Sequence, residues 1–319
     1  MYNHTSSELS QLNQTKLILV YTRFPYEPWG PKTVEEAKSY KFADWDGSPC
    51  EESRCQITFD KSLLKVSDAV LFHAGALSPR IDIDELTRNR LPAQRWVLYT
   101  KESPGVLPIG PRYNRLYLNW TATYRRDSDF FVPYGDYASL EIQNKPVGEE
   151  TRDDAGKIAI SQRTKTGSVV DEQIDNSINY ARGKDKMAVF GTSQHCGGHR
   201  YALVRALMKH LKVSVFGKCA TLLETNNTWR CPHNMGNGCL EEFQRHKFYL
   251  AIENSLCLDH ITEKYWRNSL ERGLVPVVLG GAPYSPEQVI PGSFINAADF
   301  DSVKDLADYL KYLDRRAHV

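Results

Sequence analysis

The apolar residues of this chain come in short blocks, and that constrains the fold more than any other feature. Lys16–Tyr21 (Lys-Leu-Ile-Leu-Val-Tyr), Val70–Phe72, Arg95–Thr100, Met187–Phe190, Val213–Phe216, Phe248–Ile252 and Val275–Leu279 are each a few residues long and are separated by polar connections. Continuous runs of this length are the pattern of parallel strands buried on both faces. Between them lie stretches with helical spacing. Leu203 and Leu207 share one face of Arg200–His210, which Leu211 continues, Lys61–Lys65 is helix-like, and Val303–Leu313 is amphipathic. Thr262–Arg272 also predicts a helix, with Gly273 at the C′ position, where a left-handed backbone suits glycine. Strand–helix alternation in both halves predicts an α/β fold of two Rossmann-like domains facing a cleft.

A length of 319 residues fits two domains. The tract 141–185 is rich in Glu, Lys, Asp, Thr and Gly and poor in large apolar residues, so it marks the boundary. The expected division is a lead-in over 1–15, a first domain over 16–150, a linker or excursion over 151–185 and a second domain over 186–319. With a net charge of +1, no bulk field favours nucleic acid or an anionic membrane, so an anionic ligand needs a local site. No apolar run approaches the ~18–20 residues of a membrane span, and the polar Met1–Gln14 is neither signal peptide nor anchor. The chain is therefore expected to be cytosolic or to lack its targeting segment. Cysteine usage favours the second. Cys219, Cys231, Cys239 and Cys257 fall close together and are expected as disulfide partners, and glycosylation acceptors occur at Asn3, Asn13, Asn119 and Asn226. Seven cysteines leave at least one thiol unpaired or paired outside the chain.

The chemistry concentrates between Phe248 and Leu279. A buried strand ends in Glu253-Asn254-Ser255, a loop follows, and a helix is expected to start near Thr262 with Glu263 and Lys264 in its first turn. Ligands of open α/β sheets sit beyond the carboxyl ends of strands, where helix N-termini attract anions. Lys264 adds a full charge, and Asn254 and Glu263 can bond sugar hydroxyls. The same residues also suit a solvated helix start and a plain turn.

Longer segments carry a resemblance. Phe248-Tyr-Leu-Ala-Ile-Glu-Asn-Ser255, Asp259-His-Ile-Thr-Glu-Lys264, Trp266-Arg-Asn268 and Val275-Pro-Val-Val278 closely resemble the donor-binding core of the alpha-1,3-fucosyltransferase family. So do Pro291-Gly-Ser-Phe-Ile295, Asp299-Phe300 and Val213–Cys219. In the first half, Glu102-Ser-Pro104, Asn119-Trp-Thr121, Tyr124-Arg125, Asp127-Ser-Asp129 and Val132-Pro-Tyr-Gly135 resemble the same family, so the match covers most of 42–313.

The resemblance implies a GT-B architecture. The first domain would bind a GlcNAc-containing glycan acceptor and the second GDP-fucose, with inverting transfer in alpha-1,3 linkage. Glu102 occupies the family's base position after the Arg95–Thr100 strand, and its reference pKa of about 4.3 leaves it ionised at neutral pH. Its alternative is a surface pair with Lys101. Lys264 and Arg200 are the expected diphosphate ligands, the latter following a loop with Gly191, Gly197 and Gly198. Asn254 and Glu263 match family residues near the nucleotide sugar, and His260 stands where the family usually has tyrosine. Cation and helix dipole can neutralise a diphosphate, so no metal is assigned to the Asp82/Asp84 or Asp127/Asp129 pairs, or to His195, His199 and the cysteines. Trp29, Trp45, Trp120 and Trp266 are expected in the core or cleft wall. The family also implies a Golgi-luminal type II membrane protein with an anchor and stem that this chain lacks, and a longer C-terminus. A transferase using another nucleotide sugar, such as GDP-mannose, and a non-catalytic glycan-binding relative are the competing readings.

Overall fold

A computed structural model describes residues 15–22, 31, 33–42, 49–50, 52–107, 110–137, 181–192, 197–223, 228–229 and 237–316. The sequons at Asn3, Asn13 and Asn226, together with His195, Cys196, Cys231, Trp29, Trp45 and most of the polar tract, lie outside these. The chain divides into two compact units, Met1–Pro133 and Tyr134–Val319. The division falls earlier than composition suggests, because Tyr134 and Tyr137 pack against the second unit's core.

In the first unit the described residues form one parallel sheet ordered β2-β1-β3-β4-β5-β6. The strands are β1 (Lys16–Thr22), β2 (Cys55–Thr58), β3 (Ala69–His73), β4 (Arg95–Thr100), β5 (Trp120–Thr123) and β6 (Phe130–Phe131). Two short helices, α1 (Val34–Lys38) and α2 (Ile83–Arg88), accompany it. Lys61–Val66 forms a 3-10 helix rather than an α-helix, opened by Asp60, whose carboxylate accepts the Ser62 amide at 2.9 Å. Leu19, Val70, Phe72, Trp96 and Leu116 build the core. The paired aspartates have structural partners. Asp82 caps α2 through the Glu85 amide at 2.9 Å, Asp84 pairs with Arg115, Asp127 pairs with Arg125, and Asp129 accepts the Thr121 amide at 2.7 Å.

The second unit holds a parallel sheet ordered β12-β11-β10-β7-β8-β9. Its strands are β7 (Lys186–Gly191), β8 (Val213–Phe216), β9 (Thr228–Trp229), β10 (His246–Ile252), β11 (Val275–Leu279) and β12 (Ile295–Asn296). Among the described residues, helices α3 (His199–Leu207), α4 (Asn237–Gln244) and α5 (Val303–Arg316) accompany it. Numbered within the unit, the strand order is 3-2-1-4-5-6, that of the dinucleotide-binding fold. The chain leaves β7 toward one edge through β8 and β9, then returns to β10 and runs to the other edge. The carboxyl ends of β7 and β10 are thus the switch point where such sheets place ligands. Val204, Leu207, Leu250, Val277 and Leu306 form one face of the core.

The segment expected as a helix over Thr262–Arg272 is not α-helical. The Asn268, Leu270 and Glu271 amides bond Glu263, Tyr265 and Trp266 carbonyls five residues back, at 2.7, 3.4 and 3.1 Å. The cause is Ser269, fully buried, whose hydroxyl serves the carbonyls of Lys264 and Tyr265 that regular helix amides would use. Such widened turns recur at functional sites. Both ends are tighter: the Tyr265 amide bonds the Thr262 carbonyl three residues back at 3.1 Å, and a 3-10 turn at Leu270–Arg272 is capped by Gly273 with φ +71°.

Gly217 fixes the end of β7. Its φ is +108°, and a Cβ there would lie 2.1 Å from the Thr192 carbonyl oxygen. Gly217→Ala is expected to destabilise the protein by about 2–3 kcal/mol. Thermal unfolding should show a Tm lower by about 5–10 °C, whereas an unchanged Tm would mean the crossing adjusts freely.

Candidate active site

Strand β10 is buried along its whole length, as expected for a central parallel strand, and delivers Glu253 to the switch point at 1 % exposure. A buried carboxylate needs compensation, and this one receives it. Its Oε1 accepts the Thr262 amide at 2.9 Å, and the Thr262 hydroxyl lies 2.9 and 3.0 Å from the two carboxylate oxygens. Lys264 Nζ donates to Glu253 Oε2 at 3.0 Å, to Thr262 Oγ1 at 2.8 Å and to Glu263 Oε1 at 3.4 Å. His260 is fully buried, with Nδ1 4.0 Å from Glu253 Oε2 and its ring edge-on to Tyr134. Lys264 and His260 are therefore gathered around one carboxylate, and Glu263 joins them through Lys264.

The charges follow from this packing. Burial alone would lower the Lys264 pKa, but Glu253 above all, then Glu263 and Tyr249, holds it above the ordinary lysine value. Burial presses the Glu263 carboxyl upward, yet the Lys264 charge and local hydrogen bonds keep it below the usual carboxylate range. Lys264 is a fixed cation with an 11 % exposed side chain, and the Glu263 side chain beside it is 44 % exposed.

The expected Arg200 lies in the first turn of α3 and is 5 % exposed. That helix opens at Gly198 (φ +73°) with no side-chain cap. His199, expected as a loop residue, is the helix's first residue, and its Nε2 lies 2.9 Å from the Glu253 carbonyl oxygen. The start of α3 is thereby pinned to the end of β10. Asn254 places a buried Oδ1 with no hydrogen-bond partner among the described residues, an acceptor ready for a donor group. Close packing leaves no room for side chains at Gly280 and Gly281. A Cβ there would meet the Tyr284 hydroxyl at 2.6 Å and the Leu256 backbone at 2.5 Å. Cys257, expected in a disulfide, is a free thiol in the loop pressed against Gly281, while Cys239 is disulfide-bonded.

Glu102 belongs to the first unit and follows the carboxyl end of β4. Its amide donates to Thr100 Oγ1 at 3.0 Å, and its side chain is half-buried. No cluster of His, Cys, Asp or Glu suited to a metal occurs among the described residues. No described helix is long and apolar enough to cross a membrane.

Glu253 is the residue that sequence reasoning missed. It was visible as an acid directly after the strand Phe248–Ile252, but nothing local tells such an acid from a surface one. The signal is the Thr-Glu-Lys triplet that it meets across the loop.

Comparison with known proteins gives the family. A family model described as glycosyltransferase family 10 (fucosyltransferase) C-term matches residues 181–319, and one described as fucosyltransferase, N-terminal matches residues 13–135. This chain belongs to glycosyltransferase family 10. Among family 10 relatives, a 3-galactosyl-N-acetylglucosaminide 4-alpha-L-fucosyltransferase of Bos taurus is 36 % identical over 85 % of this chain and 62 % of its own length. An alpha-(1,3)-fucosyltransferase 7 of Rattus norvegicus is 34 % identical over 80 % of this chain and 57 % of its own. A glycoprotein 3-alpha-L-fucosyltransferase A of Drosophila melanogaster is 28 % identical over 98 % and 52 %. The chain thus spans between 52 % and 62 % of these relatives. A crystal structure of an alpha1,3-fucosyltransferase with GDP-fucose shares the fold, with a TM-score of 0.52 and 16 % identity over 95 % of this chain and 80 % of its own.

Proposed function

We propose that this family 10 chain transfers L-fucose from GDP-fucose, in alpha-1,3 linkage and with inversion, to the GlcNAc of a glycoprotein or glycolipid glycan. The observation that carries the reading is the Lys264 cation, fixed by Glu253 and Thr262 beside the carboxyl end of β10. An ammonium there suits the diphosphate of a nucleotide sugar. Arg200, in the first turn of the pinned helix α3, supplies a second cation and a fork that matches phosphate oxygens. Asn254 Oδ1 and Glu263 take the remaining donor groups, while His260, expected among the donor ligands, is fully buried behind them against Glu253. The second unit is assigned to the donor and the first to the acceptor.

Glu102 acts as base. It takes the proton from the acceptor hydroxyl as that oxygen attacks the anomeric carbon of fucose. The bond from this carbon to the phosphate oxygen breaks, and its electron pair leaves with GDP. Lys264, Arg200 and the α3 N-terminus meet the charge on the departing diphosphate, so the reading requires no divalent metal. The setting proposed for the whole protein is the Golgi lumen.

Donor competition tests the nucleotide sugar. GDP-fucose and GDP should displace a fluorescent GDP probe, and GDP-mannose should do so more weakly. Tighter binding of GDP-mannose would reassign the donor.

A further inference from the structure

The Lys264 ammonium has three N–H bonds, and all three have partners. Two go inward, to Glu253 Oε2 at 3.0 Å and Thr262 Oγ1 at 2.8 Å, and both acceptors are at most 1 % exposed. The third goes to Glu263 Oε1 at 3.4 Å, the longest of the three, on a carboxylate whose side chain is 44 % exposed. The Thr262 hydroxyl has one hydrogen, which points to Glu253, so its lone pair is turned toward Lys264. Glu253 also holds the Thr262 amide, which fixes this bridge from its backbone.

We infer that Glu253, with Thr262 as its bridge, is the positioning residue for Lys264, holding two of its N–H bonds inward and leaving the third for an incoming diphosphate. This rests on the reading that Lys264 binds the diphosphate of the donor. On binding, a phosphate oxygen replaces Glu263 at the outward N–H, the weakest-held of the three. The inward pair stays in place, so the cation does not have to be reoriented. Glu253 also keeps a buried lysine charged, because burial favours its neutral form. Other titratable groups at this node are Glu263, His260 in the loop, Tyr249 on β10, and Tyr284 in the segment after β11. Glu253 also acts on Tyr249 and Tyr284 and faces His260, so the same substitution in a Lys264→Ala background, where these groups remain, isolates the contribution of Lys264.

The test is calorimetric titration of GDP into the full chain and its Glu253→Gln, Lys264→Ala and doubly substituted variants. The range runs from about pH 7.5 to about 9.5, above the phosphate ionisation at about 6 and below the lysine reference of about 10.4. In wild type Lys264 stays charged, and its contribution is flat across this range. In Glu253→Gln the buried ammonium loses its main counter-charge and sheds its proton as pH rises. GDP affinity should then fall about tenfold at the acid end of the range and further toward the alkaline end. In the Lys264→Ala background the Glu253 substitution should change neither affinity nor profile. A folded Glu253→Gln variant with wild-type affinity and a flat profile overturns the proposal.

If Glu253→Gln does not fold, Thr262→Val tests the same node with its charges intact. It should weaken GDP about three- to tenfold, and wild-type affinity would overturn the proposal. Unchanged GDP affinity in Lys264→Ala alone instead rejects the underlying diphosphate reading, which is thereby distinguished from a failure of the Glu253 role.

Discussion

Glu102→Gln is expected to lower turnover by about two to four orders of magnitude, the usual range for a general base. Affinity for GDP should be unchanged. The substitution keeps the shape and the Glu102 backbone contacts with Thr100. It removes the one property the mechanism needs, an ionised oxygen that accepts the acceptor's proton. The half-buried position of Glu102 predicts little change in folding. Turnover measured at saturating GDP-fucose and acceptor, with GDP affinity measured in parallel, separates chemistry from binding. Full turnover would remove Glu102 from the mechanism. A loss of GDP affinity equal to the loss of rate would make it a binding residue instead.

Lys264→Ala has the second large effect, and it has two parts. Without its ammonium, GDP should bind about 10- to 100-fold more weakly, the range for a lost charge-assisted hydrogen bond. Stability should also fall, by about 3–5 kcal/mol, because Glu253 remains buried without its counter-charge. The two parts can be separated. Pairing Lys264→Met with Glu253→Gln removes both charges and should recover most of the stability but none of the affinity. Calorimetry with GDP and thermal unfolding of the same samples read the two quantities. If affinity returned together with stability, the ammonium would be a structural counter-ion rather than a phosphate ligand.

Much of the fold was legible because its central strands are unbroken apolar runs. Leu-Ile-Leu-Val, Trp-Val-Leu-Tyr, Tyr-Leu-Ala-Ile and Val-Pro-Val-Val all became strands where expected. Edge strands were not legible. Phe130–Phe131 is two residues long with both side chains exposed, and Ile295–Asn296 is equally short. Such strands are set by pairing with a neighbour rather than by their own pattern. Thr262–Arg272 misled for a different reason. Its apolar spacing is helical, but the buried Ser269 hydroxyl competes for helix carbonyls, which no periodicity reveals. The site was legible where a motif carried it. Lys264 and His260, two residues of that motif, meet Glu253 in the structure, and Glu263 joins them through Lys264. Arg200 stood out only as a basic residue after glycines, and its link to that cluster, His199 to the Glu253 carbonyl, is purely three-dimensional. Glu253 itself went unassigned because its importance lies in burial, which a single acidic letter does not encode.

The most direct test of fucosyl transfer is mass spectrometry of reaction products. The purified chain would receive GDP-fucose with a lactosamine and, separately, with an N-glycan bearing core GlcNAc. One added fucose is expected on one of these acceptors, attached to a GlcNAc in alpha-1,3 linkage, with GDP released in equal amount. No fucosylated product on either acceptor, from folded protein that binds GDP-fucose, would contradict it.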